Sequence, residues 1–186
     1  MAKTQIPTPN ELRQLLRYEP ETGKLFWRER GPEWFDRGYR SAEGNAANWN
    51  ARYAGTEAFT PKDAHGYLVG AIQNVKYKSH RVIWAMVYDE WPSGDVDHIN
   101  SDRSDNRQNN LRAASRSQNM RNRGATKSNS TGLKGVCWDA GRQKWLAQIR
   151  VNGRNKYLGR YDTPECAHLA YKIAAAKLHG DFARST

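Results

Sequence analysis

The sequence has few cysteines and no long apolar run. Its two cysteines, Cys137 and Cys166, lie far apart, and neither belongs to a Cys-x-x-Cys pair. This pattern argues against a disulfide framework and against a cysteine-rich zinc site. No segment approaches the roughly 18 apolar residues of a membrane span, and the N-terminus lacks the apolar region of a signal peptide. We therefore expect a cytoplasmic protein with no membrane partner.

Acidic residues are scarce in one third of the chain. Residues 101–160 hold 14 Lys and Arg against 3 Asp and Glu, whereas the other residues hold 16 of each kind. The whole net charge of +11 therefore lies in this block. A localised positive charge suits a polyanion, because each neutralised phosphate releases counterions. The distribution predicts a nucleic-acid partner and no small-molecule substrate. A soluble basic surface without a partner explains the localisation poorly.

Residues 1–64 form the first of four predicted segments. Thr8 and Pro9 predict the start of a helix that continues to residue 18, and Lys24–Trp27 is predicted to be a strand. Residues 29–64 show no clear period, so we expect an irregular region there. It is either an ordinary surface loop or a loop that contacts DNA.

Residues 65–123 form the second segment. Alternating apolar residues around Gln73-Asn74 predict a hairpin, and Ser79 is predicted to cap the helix that follows. A strand over residues 95–99, a polar loop, a strand over residues 111–113 and a helix capped by Ser115 complete the segment. Residues 124–131 are small and polar, and we expect them to be a linker.

Residues 132–186 form the last segment. Three predicted strands are joined by turns at Ala140-Gly141 and Asn152-Gly153. Thr163 and Pro164 then open an alanine-rich helix that Gly180 closes, and small residues let such a helix lie close to a sheet. The pattern predicts a three-stranded antiparallel sheet packed on one helix. The chain as a whole is predicted to be α+β.

The stretch VDHIN places Asp97 and His98 side by side at the end of a predicted strand. Phosphodiester hydrolysis needs a base that activates water and a cation that stabilises the developing charge. Asp97 offers an oxygen ligand to a divalent cation, and His98 offers an imidazole. Asn119 can supply a second oxygen, and Asn110 can brace the loop between the strands. Taken alone, however, Asp97 and His98 fit a turn-capping carboxylate and a half-buried strand histidine.

VDHIN, Asn110-Leu111-Arg112 and Ser117-Gln118-Asn119 together resemble an HNH endonuclease of the phage homing type. The intervals are 12 residues from His98 to Asn110 and 9 from Asn110 to Asn119, as in that family, and the upstream HRVIW resembles the helix that precedes its motif. The resemblance covers residues 65–123 and implies a ββα-metal (His-Me finger) nuclease core. It implies catalytic roles for His98, as general base, and Asn110, as structural asparagine. It makes Asp97 and Asn119 the ligands of one Mg²⁺ or Mn²⁺ ion.

Arginines surround this motif. We expect them to hold DNA phosphates, although a solvated helix face would also explain them. The predicted set is Arg103, Arg107, Arg112, Arg116, Arg121 and Arg123.

Residues 132–184 are similar to the plant ethylene-response-factor (APETALA-type) DNA-binding domain, which also occurs in phage homing nucleases. The similarity rests on K-G-V, A-Q-I-R, Y-L-G-R-Y-D-T and the alanine-rich helix. Cys137 and Asn155 stand where that family has arginines, so the plant target sequence does not carry over. Alternation alone does not assign the DNA face of the sheet. The predicted DNA contacts are Lys134, Trp138, Arg142, Arg150, Arg154, Lys156 and Tyr157.

These features together predict a metal-dependent endonuclease that hydrolyses phosphodiester bonds in double-stranded DNA, in the host cell of a phage. One alternative is a non-catalytic, sequence-specific DNA-binding regulator built from the same parts. Another is an RNA-binding protein. The target sequence, nicking against double-strand cutting, and the oligomeric state are left open.

Overall fold

A computed structural model describes residues 6–36, 40–122, 124, 129 and 131–183. The chain divides into two compact units, Met1–Ala113 and Ala114–Thr186. Most of the predicted linker at 124–131 lies outside the described residues. None of the helices in the described ranges has the length and apolar character that crossing a membrane requires.

The first unit combines short helices with three small antiparallel sheets. Its helices are Pro9–Leu15 (α1), Ala42–Tyr53 (α2) and Ser79–Tyr88 (α3). The first sheet contains Leu16–Glu19 (β1), Lys24–Trp27 (β2) and Glu57–Ala58 (β3). The second contains Val69–Ile72 (β4) and Val75–Lys78 (β5), and the third contains Asp95–His98 (β6) and Leu111–Ala114 (β7).

Local signals explain where several of these elements begin and turn. Thr8 and Glu11 form a capping box at the start of α1, as the sequence predicts for Thr8. Gln73 and Asn74 have φ values of 49° and 64°, the left-handed pair that a two-residue hairpin turn requires. The hairpin predicted around these two residues is therefore confirmed.

Three expectations about the first unit are wrong. Helix α1 ends at Leu15, because Leu16–Glu19 pairs with Lys24–Trp27 and buries Leu16. The region expected to be irregular contains α2, whose side chains follow no clear apolar period. Ser79 is the first residue of α3 and not its cap, since the cap is Lys78 and no side chain bonds there.

One hydrophobic core joins the N-terminal segment to the strands that carry VDHIN. Its members come from α1, β1, β2, α3, β6 and β7, so residues 1–64 pack into the same core as residues 65–113. Strand β4 also contributes Ile72, and other members are Leu12, Leu16, Leu25, Ile83, Val96 and Leu111. The domain limits predicted from the sequence remain a prediction.

The second unit has the sheet and helix that the sequence predicts. It begins with a short helix, Arg116–Arg121 (α4), capped by Ser115 in a capping box. Strands Val136–Asp139 (β8), Lys144–Val151 (β9) and Arg154–Tyr161 (β10) form one antiparallel sheet in the order β10-β9-β8. The last helix, Pro164–His179 (α5), is capped by Thr163.

Helix α5 lies against one face of this sheet. On the inner side of the helix Ala167, Tyr171 and Ala175 are buried, and on the facing side of the sheet Val136 and Ala147 are buried. The approach is close enough that a Cβ on Gly135, which has φ of 78°, would lie 2.0 Å from the Tyr171 ring. Glycine is therefore required where the chain enters β8.

Candidate active site

Strands β6 and β7 bring three of the predicted site residues together. Asp97 and His98 end β6, and Asn110 immediately precedes β7. All three are buried, with Asp97 5% and His98 3% exposed. Three consecutive residues of β6, beginning with Val96, are buried because protein covers both faces of the strand. The polar groups here must therefore find partners within the protein.

Asn110 ties down the loop between the two strands. Its backbone carbonyl accepts from the Ile99 amide at 2.9 Å, and its side-chain oxygen accepts from the Asn100 amide at 3.0 Å. Its side-chain nitrogen donates to the Asp105 carbonyl at 2.8 Å and to Asn100 Oδ1 at 3.0 Å. These bonds place Asn110 in the bracing position that the sequence suggests, and Asn100 in the turn.

His98 is oriented by an asparagine from the same loop. Its Nε2 lies 2.9 Å from Oδ1 of Asn106, a residue with no exposed surface. Because an amide oxygen only accepts, Nε2 carries the proton of the neutral ring and Nδ1 carries the lone pair. The bond thus selects the tautomer in which Nδ1 is the basic atom.

Two aromatic rings enclose the other sides of His98. The ring of His80, from α3, lies edge-to-face at 5.0 Å between centroids, and the Tyr67 ring lies at 5.9 Å. Burial lowers the pKa of His98, and the bond to Asn106 partly opposes this shift. Burial also lowers the pKa of His80 to about 3, so His80 is neutral at physiological pH.

Asp97 is paired with an arginine of the neighbouring strand. Arg112 donates from Nε at 2.9 Å and from Nη2 at 2.8 Å, both to Asp97 Oδ2. Both side chains are largely buried, so the pair is shielded from solvent. The structure therefore places Arg112, predicted to hold a phosphate, beside the predicted metal ligand.

The donors present fit a hard divalent cation that keeps much of its own hydration. Within the described ranges no group of three or more His, Cys, Asp and Glu side chains forms a metal cage. Mg²⁺ binds through one or two protein oxygens plus water and substrate phosphate, so a cage is not required. Asp97 supplies a carboxylate, the kind of oxygen ligand that Mg²⁺ prefers, and Arg112 donates twice to its Oδ2. The other predicted ligand, Asn119, lies on α4 in the second unit.

Two of the other predicted phosphate contacts near the motif have partners of their own. Arg107 pairs with Asp105, and Arg103 donates to the His65 carbonyl at 2.6 Å. Arg116 is exposed on α4 and Arg121 is half-buried there, while Arg123 lies outside the described residues.

The strand register assigns the sheet faces that alternation left open. Paired residues of antiparallel strands share a face, and Val136, Ala147 and Trp145 mark the side beneath α5. Trp138 pairs with Trp145, and Arg154 and Lys156 pair with Val151 and Ile149, so these three predicted contacts belong to the helix side.

The opposite face is open and carries two of the four remaining contacts. Arg150 and Tyr157 lie on it, as does Gln148, which pairs with Tyr157. Arg160 joins them, with its guanidinium 5.3 Å from the Tyr157 ring centroid and its Nε bonded to Asp139. Arg142 is exposed in the β8–β9 turn, and Lys134, before β8, donates to the Arg121 carbonyl at 2.5 Å.

Sequence reasoning favoured a turn role for Asn106 over an extra oxygen ligand and packing for His80 over catalysis, and it gave Arg160 no site role. An asparagine in a polar loop is read as a turn residue, and a histidine near a helix start is read as packing. Nothing in the local pattern signals that Asn106 and His80 both meet His98. Arg160 lies within Y-L-G-R-Y-D-T. Pairing that motif with A-Q-I-R on the neighbouring strand would have shown on which face of the sheet Arg160 lies.

Comparisons with known proteins agree with this architecture. Residues 77–121 match the HNH endonuclease family, and residues 131–181 match the AP2 domain family. Protein 3.8 of Escherichia phage T7 is 31% identical over 108 residues, which cover 58% of this chain and 88% of that protein. No solved structure matches. The order of the two matched families is the order predicted from the sequence, and the chain belongs to the HNH endonuclease family, with an AP2 DNA-binding domain following its HNH domain.

Proposed function

We propose that the chain is a metal-dependent DNA endonuclease of the phage homing type, with a ββα-metal core in residues 65–123. Its substrate is double-stranded DNA, in which it hydrolyses phosphodiester bonds inside the host cell. The observation that carries the proposal is the bond between His98 Nε2 and Asn106 Oδ1. It presents a buried imidazole with Nδ1 as the basic atom, which is what a general base requires.

His98 acts as the general base. Nδ1 accepts a proton from a water molecule as the water oxygen bonds to the phosphorus and the bond from phosphorus to the leaving sugar oxygen breaks. Asn106 fixes the ring through Nε2, and Asn110 fixes the loop that carries Asn106. A base held in one orientation contributes about 10²–10⁴-fold to such a reaction.

Asp97 and Asn119 would hold one Mg²⁺ or Mn²⁺ ion beside the scissile phosphate. Such an ion stabilises the negative charge that develops on the phosphate and on the leaving oxygen. The carboxylate of Asp97 is kept in place by Arg112. Around the site, arginines neutralise flanking phosphates, and Arg116 is exposed on α4.

The AP2 domain holds the DNA through the open face of its sheet. A sheet can enter the major groove, where base edges carry a distinct donor and acceptor pattern. Arg150, Tyr157 and Arg160 supply cationic and aromatic groups on this face. A DNA-binding domain tethered to a nuclease raises the effective concentration of the nuclease on bound DNA.

The test is cleavage of a pool of plasmids carrying fragments of phage genomic DNA. With Mg²⁺ the wild-type chain should cut members of the pool, and EDTA should stop it. His98→Ala should lower cleavage at least about 100-fold without weakening DNA binding. His65→Ala, an exposed histidine of the same unit, is the matched control. Wild-type cleavage by His98→Ala would overturn the assignment.

A DNA-binding regulator that does not cut is the second candidate. The observation that favours it is the Arg112–Asp97 pair, because a carboxylate committed to an arginine does not need a metal. A regulator would bind the same DNA fragments in the presence of EDTA and leave them intact when Mg²⁺ or Mn²⁺ is added. Cleavage with either ion excludes it.

A further inference from the structure

Asn106 is an isolated buried residue in an otherwise accessible stretch. Arg107, Gln108 and Asn109, which follow it, are all exposed. Asn106 itself has no exposed surface, and none of the described residues forms a hydrogen bond with its buried Nδ2. Burying an unsatisfied amide nitrogen costs free energy, so other contacts must hold the residue in place.

The first such contact comes from β1. The Tyr18 hydroxyl donates to the Asn106 carbonyl at 3.0 Å across 88 residues of sequence. Burial raises the pKa of Tyr18 to about 12, more than the nearby Gln108 amide lowers it. The hydroxyl therefore keeps its proton, and remains a donor, throughout the physiological pH range.

The second contact comes from the turn between β1 and β2. Gly23 has φ of 73°, and a Cβ there would lie 2.6 Å from the Arg107 nitrogen and 2.7 Å from the Asn106 carbonyl carbon. No side chain fits in this space, and both atoms it would meet are backbone atoms that cannot swing aside. The turn of the hairpin thus lies directly against the peptide bond that follows Asn106.

The hairpin is itself anchored firmly enough to act as a support. Leu16 and Leu25, one from each strand, are each 1% exposed in the core of the first unit. The two strands pair in register from Leu16–Trp27 to Glu19–Lys24. Motion of the hairpin relative to the core would expose these leucines, so its turn is a fixed surface.

We propose that the β1–β2 hairpin positions the catalytic imidazole, with Tyr18 and Gly23 holding Asn106 and Asn106 holding His98. This inference rests on the proposed function of His98. Tyr18 and Gly23 are positioning residues, since they touch neither substrate nor the reacting atoms. It gives residues 16–27 a role in catalysis although they lie some 70 residues before the VDHIN motif.

The experiment compares Tyr18→Phe and Gly23→Ala with controls that share their chemistry. Tyr88→Phe removes the hydroxyl of an exposed tyrosine in the same unit. Gly55→Ala imposes similar backbone strain, at φ of 79°, where no atom lies within 4 Å of the added Cβ. Thermal unfolding establishes that each variant is folded at the assay temperature. Tyr18→Phe is the milder change and serves if Gly23→Ala does not fold.

Two readouts separate positioning from general stability. Tyr18→Phe should lower kcat about threefold to tenfold with KM unchanged, and Gly23→Ala about tenfold or more. Ring ¹⁵N NMR should show a protonated Nε2 for His98 in the wild type. In Tyr18→Phe the two nitrogen signals should move towards each other as the tautomers mix. Neither control should change kcat or these signals.

The outcomes distinguish this inference from the proposed function. If the wild type cuts DNA, and Tyr18→Phe and Gly23→Ala match their controls in kcat and in the His98 signals, the positioning role is overturned. If the wild type does not cut, the nuclease proposal fails. The NMR comparison then decides alone whether the hairpin orients His98: movement of the signals in Tyr18→Phe supports it, and unchanged signals overturn it.

Discussion

The two units of the chain handle their polar residues in opposite ways. In the first, the side chains of Asp97, His98, Asn106 and Asn110 are buried, and each is held by a hydrogen bond to another residue of the site. In the second, Arg150 and Tyr157 are exposed on an open sheet face. A reacting group must be held in one orientation, whereas a side chain that meets a phosphate can adjust when DNA arrives. This contrast is what the proposed division between chemistry in the first unit and DNA binding in the second requires.

Removing the arginine of the buried Arg112–Asp97 pair should destabilise the first unit more than any other change. Arg112→Ala leaves the Asp97 carboxylate buried without its arginine, so we expect a loss of about 3–5 kcal/mol in the free energy of unfolding, measured by urea denaturation. Arg107→Ala, which breaks the more exposed pair with Asp105, is the control and should cost about 1 kcal/mol or less. Equal losses in the two variants would show that the Arg112–Asp97 pair is not effectively buried.

Removing the Asn106 amide that orients His98 should slow cleavage while leaving the fold intact. Asn106→Ala frees the His98 ring, so we expect the single-turnover cleavage rate to fall about 100-fold. The affinity for DNA should be unchanged, because Asn106 is buried and touches no phosphate. Asn109→Ala, an exposed neighbour in the same loop, should cut at the wild-type rate. Undiminished cleavage by Asn106→Ala would contradict the role assigned to that residue.

Substitutions on the open sheet face of the second unit should weaken DNA binding without affecting the cleavage step. Arg150→Ala should weaken DNA binding about tenfold and reduce the slope of log K against log salt by about 1, since one phosphate contact is lost. Lys172→Ala, exposed on α5, is the matched control for a lost positive charge. A salt slope that Arg150→Ala leaves unaltered would place the DNA contacts elsewhere.

The last prediction concerns the neutral histidine beside His98, whose effect on stability is small near neutral pH and grows only in acid. The pKa of His80 is about 3 in the folded chain, well below that of an unfolded histidine near 6.5. Between these values the unfolded chain binds the proton and the folded chain does not. Stability should therefore fall, as pH drops from 6.5 towards 3, by up to about 1.4 kcal/mol per pH unit.

Denaturation at a series of pH values checks this, with His80→Phe as the comparison. Phenylalanine keeps an aromatic ring against Tyr67 and His98 but cannot bind a proton. The pH dependence of its stability should be shallower than that of the wild type over this window. Identical slopes would mean that His80 gains its proton as easily in the folded chain as in the unfolded one.

Features set by neighbouring residues were predictable from the sequence. Thr8, Ser115 and Thr163 cap helices as expected, and the turns at Gln73-Asn74 and Asn152-Gly153 join paired strands. Each depends on one or two residues whose side chains or φ values decide the local conformation. The ordered set Asp97, His98, Asn110 and Asn119 was visible because its spacing resembles a known family.

Features set by distant contacts were not predictable. Leu16 follows the apolar spacing of α1, yet pairing with Trp27 draws it into a strand. The glycine, asparagines and alanines of α2 give no apolar period, although Trp27 packs against its Trp49. Asn106 meets His98 only after the loop folds back, and Tyr18 meets Asn106 only in the assembled unit. Such contacts leave no local pattern in the sequence.

The division of labour between the units is tested most directly by measuring DNA affinity and single-turnover cleavage of fully bound DNA in two variants. His98→Ala should bind DNA as the wild type does and lose at least about 100-fold in the cleavage rate. Arg150→Ala should bind about tenfold more weakly and, once saturated with DNA, cut at the wild-type rate. Full cleavage by His98→Ala, or a slower rate in saturated Arg150→Ala at unchanged affinity, would contradict the account.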